Sequence, residues 1–104
     1  MAIKRFRLPR KVTIKGAEYS IRQKKKLVYK GVEISGLHDH INKVIWISSS
    51  IKKPEVKRIT LLHEMFHAYL HMCGVCEGLD VQLEEVIVDL LATAVDKHFV
   101  IAWK

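Results

Sequence analysis

From Val56 onward, apolar residues recur at Val56, Ile59, Leu62, Phe66 and Leu70, the three-and-four spacing of an α-helix with one buried stripe. The flanking residues punctuate the same helix. Ser48-Ser49-Ser50 offers an N-cap, Pro54 fits only a first turn, and Glu55 there suits the helix dipole. At the other end Cys73-Gly74 predicts a stop, with Gly74 just past the last turn. This helix carries His63-Glu64-Met65-Phe66-His67. The two histidines are one turn apart and share nearly one face, so whatever packs on the helix must leave that face usable.

Two imidazoles at this spacing reach a single metal ion, and a carboxylate at Glu64 can take a proton from water held there. Catalytic zinc takes three protein ligands and keeps one position open. His71 continues the series, but it lies about 12 Å along the axis from His63, too far for ligand distances near 2 Å. A packing or ligand-orienting role suits it better. His38 and His40 fall in a stretch that reads as a turn, a poorer support than a helix. The better source is a second helix, predicted over roughly Val81 to Ile101, with apolar positions Leu83, Ile87, Leu90, Leu91, Ala94, Val95 and Phe99. A short loop, Val75 to Asp80, folds it back against the first. Near its start lie Glu84, Glu85 and Asp89. Glu85 has Asp89 at i+4, which lets Glu85 bind the metal while Asp89 orients a ligand histidine through its other ring nitrogen. Glu85 is the expected third ligand. Glu84, among the apolar positions of the wheel, is the alternative. Water activated in this way attacks a peptide carbonyl, with Glu64 carrying the proton to the leaving amine.

Before the motif, the chain reads as strands. Residues 1–9 form an extended arm ending at Pro9. Lys11 to Lys15 alternates, Lys15-Gly16-Ala17-Glu18 turns, and Tyr19 to Arg22 alternates again, which makes a β-hairpin. Gln23 to Lys26 is a polar connection or the end of that strand. Leu27 to Ile34, broken at Gly31, holds another short strand, and Gly36 to Lys43 carries turn residues. Val44-Ile45-Trp46-Ile47-Ser48 is the most strand-like run. The fold class expected is α+β: a small antiparallel sheet of three or four strands followed by two packed helices. Val44–Ser48 is the expected edge, open to an extended peptide.

At 104 residues the chain has room for one modest core. We expect one domain, 1–104. No apolar run approaches the ~20 residues that span a bilayer, and Met-Ala-Ile-Lys-Arg-Phe-Arg is no apolar signal core, so a cytoplasmic protein without membrane contact is expected. Cys73 and Cys76 are too few for a disulfide scaffold and read as free thiols at a helix end. The net charge is +7, and Lys4 to Lys30 is basic apart from Glu18. Such asymmetry suits nucleic acid or an acidic partner, while a solvated hairpin with Lys and Arg on its outer faces explains it more simply.

The block Leu61-Leu62-His63-Glu64-Met65-Phe66-His67-Ala68-Tyr69-Leu70-His71, after Val44–Ser48 and before Glu84-Glu85-Val86-Ile87-Val88-Asp89-Leu90-Leu91-Ala92, resembles the small gluzincin-type metallopeptidases. These include the ImmA/IrrE-like proteins of bacteria, mobile elements and phages, and the single-domain minigluzincins. The similarity covers roughly residues 30–100. The Glu-Ala-Asn run that often marks the ImmA/IrrE ligand helix is missing. The resemblance implies a zincin-like core and a zinc-dependent endopeptidase acting on a protein substrate, such as a regulatory protein of a phage or mobile element. SprT-like proteases share the motif and associate with DNA, which the basic N-terminal third would suit. A different class of function is a metal-stabilised regulatory or nucleic-acid-binding module that does not cut. Glu64 separates the two, having no structural duty in such a module.

Overall fold

A computed structural model describes residues 7–74 and 78–99. Its elements are β1 (Lys11–Ile14), β2 (Ala17–Lys24), β3 (Leu27–Tyr29), β4 (Val32–Ile34), β5 (Gly36–Asp39), β6 (Val44–Ser48), α1 (Pro54–Met72) and α2 (Val81–His98). The fold is α+β, with a four-stranded sheet in the order β1-β2-β6-β5, a separate β3–β4 hairpin and two helices. Among the described residues no helix is long and apolar enough to cross a membrane.

Two hairpins share one device. Lys15-Gly16 and Lys30-Gly31 each place both residues at positive φ, the two-residue turn whose twist matches the strands it joins. Ile14 therefore pairs with Ala17, and Tyr29 with Val32. Gln23 and Lys24 complete β2, and the apolar Leu27–Ile34 run holds two strands rather than one. The expected N-terminal arm lies in part outside the described residues. Within them Pro9 is buried and Leu8 packs against the core.

The sheet departs from expectation in its direction and its edge. It is mixed rather than antiparallel, because β6 runs parallel to β2 and antiparallel to β5. Nor is Val44–Ser48 an edge, since β6 lies between those two strands. The physical reason is visible in its composition. Four of its five residues are buried, so both faces are covered, as in a central strand. The edge beside α1 is β5, from a segment expected to be a turn. Gly-Leu-His-Asp has no β-branched residue, and its extended form comes from pairing with β6.

The inner face of the sheet carries Ile14, Tyr19, Ile21, Ile45 and Ile47, which cluster with Leu61 and Ala68 of α1. α1 starts without the expected serine cap. Lys53 takes the N-cap position and makes no side-chain cap bond, while Ser48 and Ser50 pair through their hydroxyls at 2.7 Å. Pro54, Glu55 and the positive-φ Gly74 stand as expected. Asp80 caps α2 by accepting from the backbone N–H groups of Gln82 and Leu83. The buried stripe of α2 is Val88 and Ala92, not the longer apolar series, of which Leu83, Leu90, Leu91 and Phe99 are exposed. α2 packs chiefly on α1, and Arg58 holds Asp96 across that seam.

β5 approaches α1 closely at Gly36. A Cβ there would lie 3.0 Å from both Glu64 Cγ and Thr60 Cγ2, and 3.1 Å from Glu64 Oε2. Gly36→Ala is therefore expected to lower the unfolding free energy by about 1–3 kcal/mol, the usual effect of overpacking. Urea denaturation checks this, and an unchanged midpoint would contradict the close approach.

Candidate metal centre

α1 and α2 bring four carboxylates and two imidazoles to one place. His67 Nδ1 donates to Glu84 Oε2 at 2.6 Å, and His63 Nδ1 donates to Asp89 Oδ1 at 2.8 Å. Carboxylates only accept, so each ring presents an N–H at Nδ1, and Nε2 is the nitrogen left to face inward. The two Nε2 atoms are 3.1 Å apart. Glu85 closes the group, with Oε1 2.8 Å from His67 Nε2 and Oε2 3.3 Å from His63 Nε2. Ring nitrogens and carboxylate oxygens at this range share a positive charge, either a ring proton or a metal ion. Ligands about 2.0–2.1 Å from a tetrahedral ion lie about 3.3 Å from each other. The three residues fit such an ion. Among the described residues the ligand atoms of His63, His67 and Glu85 lie within 4.8 Å of one another and could hold a metal ion.

The structure thus brings His63, His67 and Glu85 together, with Asp89 against the outer nitrogen of His63. Glu84, the alternative ligand, instead holds His67 from behind, as Asp89 holds His63. His71 stands apart from the ligand group. Its ring stacks on His40 at 3.9 Å and meets His38 edge-on at 5.9 Å, the packing role of the two expected for it. Two helical turns carry it past the group, toward the turn that joins β5 to β6.

No family model, curated protein or solved structure matches this chain. The case for a site therefore rests on its geometry.

Glu64, on α1 between the two histidines, is only 8% exposed. Burial pushes its pKa up to about 7; His67 opposes the rise and Glu85 adds to it. A cleft of about 340 Å³ opens beside it, walled by Tyr29, Ile34 and Leu37 on one side and by His67, Glu84 and Glu85 on the other. His38 belongs to β5 rather than to a loop, and it lines this cleft without joining the metal group. Burial and the neighbouring His71, His40 and His67 lower its pKa to about 4. Cys73 is an exposed free thiol, while Cys76 lies outside the described residues.

Glu64 and His38 give opposite pH slopes to the metal-free protein. The folded chain holds a proton on Glu64 that the unfolded chain releases, so this contribution falls as pH rises from about 4.5 to about 7. His38 is neutral when folded and charged when unfolded, so its contribution is lost as pH falls from about 6.5 to about 4. Subtracting the stability–pH curve of Glu64→Gln from that of the wild type, both in chelator, should isolate the first. The difference is expected to fall by about 3 kcal/mol between pH 4.5 and pH 7. A flat difference would contradict the raised pKa.

Proposed function

We propose that this chain is a zinc-dependent metallopeptidase of the small gluzincin kind, hydrolysing peptide bonds in a protein substrate. The observation that carries the reading is the pairing of a convergent ligand group with Glu64, a buried carboxylate beside it that makes no side-chain hydrogen bond among the described residues. A module that only needed metal for stability would have no use for a buried carboxylate at that position.

His63, His67 and Glu85 would hold the zinc ion, which would supply Lewis acidity and make water acidic enough to give up a proton near neutral pH. The chain's own residues do the rest. Asp89 and Glu84 fix the ring orientation and tautomer of His63 and His67. Glu64 takes the proton from the attacking water at its carboxylate and delivers it to the departing amine nitrogen. Its raised pKa suits both halves of that transfer near neutral pH. β5 has one sheet neighbour, so an extended substrate can add to its free side and lie across the mouth of the cleft. The zincin likeness and a phage or mobile-element regulator as substrate belong to this proposal.

The test is hydrolysis of an unstructured protein, such as casein, by the zinc-loaded chain. Activity should vanish with chelator and return with zinc. Hydrolysis that ignores the chelator, or none from a fully loaded protein, sinks the reading.

A further inference from the structure

One end of the cleft is unlike the other. Around the metal group it is lined with carboxylates. At its far end stand three imidazoles, those of His38, His40 and His71. His40 and His71 overlap at 3.9 Å, and His38 lies 5.9 Å from each. Lys43 adds a positive charge, donating from Nζ to the carbonyl of His40 at 2.7 Å and sitting 5.8 Å from the centre of the Tyr19 ring. The neighbouring carboxylate is otherwise engaged. Asp39 accepts from the backbone N–H groups of Ile41 and Asn42 and from the Asn42 side chain.

This end also holds hydrogen-bonding capacity that the described residues do not use. The Tyr19 hydroxyl and His38 Nε2 are buried and without a hydrogen-bond partner, on rings 5.7 Å apart. Buried polar atoms are seldom left in that state. A second metal would not suit the group. Lys43 repels a cation, and the only convergent ligand set among the described residues is that of His63, His67 and Glu85.

We propose that His40 and His71, backed by His38 and Lys43, form a subsite that takes the carboxylate of an acidic side chain of the substrate. The cleft then reads a peptide by placing an Asp or Glu at the imidazole end when the scissile bond lies at the metal end. This inference rests on the peptidase reading for its substrate class. The chemistry of the subsite is nonetheless testable without cleavage.

In the first measurement, N-acetylglutamate amide and N-acetylglutamine amide are titrated separately into the zinc-loaded wild-type protein, and the histidine ring resonances are followed by NMR. The acidic compound should shift His40 and His71, and the neutral one should leave them in place. Equal responses, or none to either compound, overturn the proposal. In the second, matched peptides carry Glu or Gln at each successive position of a cleaved sequence. At one position the Glu peptide should show about tenfold higher kcat/KM, the worth of a charged hydrogen bond. In His40→Gln and His71→Gln that ratio should fall towards one. A ratio near one in the wild type, or one unchanged in both variants, overturns the subsite. If no peptide is cut at all, the peptidase reading fails, and the ring shifts still decide the subsite.

Discussion

Replacing Glu64 by Gln should lower kcat/KM for peptide hydrolysis by about 10²–10⁴-fold while the protein still binds one zinc ion, the range being that of a lost general base. Gln keeps the length and shape of the side chain, so it still fits against Gly36, where the contacts are already tight. It has no basic oxygen for a proton, so the loss should appear in kcat rather than in metal content. The two readouts divide the candidate functions. Zinc retained with activity lost is the enzyme's signature. Equal activity in wild type and variant would remove Glu64 from the chemistry, and equal absence of activity would favour a module that only holds metal.

The second large effect concerns the third ligand. Glu85→Ala is expected to abolish stoichiometric zinc binding at micromolar metal. Glu84→Gln should weaken affinity by about 10–100-fold, the usual effect of losing a partner that orients a ligand histidine. The distinction follows from where each oxygen points. Both Glu85 oxygens face the Nε2 atoms, whereas Glu84 reaches the opposite side of the His67 ring. Asp89→Asn should fall in the same range as Glu84→Gln or below it, because the Asp89 side chain is 68% exposed. Competition against a chromophoric chelator measures all three. If Glu84→Gln proved the more damaging change, the roles of the two glutamates would have to be exchanged.

Much of this site is legible in the sequence because helices are local. The spacing of His63 and His67 sets their common face, and the i, i+4 relation of Glu85 and Asp89 sets theirs. One antiparallel helix pairing then joins the two faces. The sheet was less legible because strand partners are not local. Val44–Ser48 announces a strand, but its lack of alternation was the signal that it is covered on both faces. Gly36–Asp39 has weak strand chemistry of its own, so its identity as an edge depends on β6. His38 and His40 followed that misreading. With β5 placed, His38 moves from a loop into a strand while His40 keeps its turn, and both line the cleft and meet His71, which the distance along α1 had already removed from the ligands. The surplus of apolar residues on α2 hid which side is buried, since only Val88 and Ala92 are.

The way α2 is held has a consequence for how the protein matures. Its buried apolar surface is small, and its chief neighbour is a single helix. The Arg58–Asp96 pair clips its C-terminal half, while its N-terminal half is tied down through Glu84, Glu85 and Asp89, the residues that meet the two histidines. Those ties are strongest when a cation neutralises the crowd of lone pairs between them. Were this centre to take an ion, ordering of the first turns of α2 and capture of that ion would be one thermodynamic event. Without an ion at this centre, the start of α2 would be the part of the helix pair most ready to open.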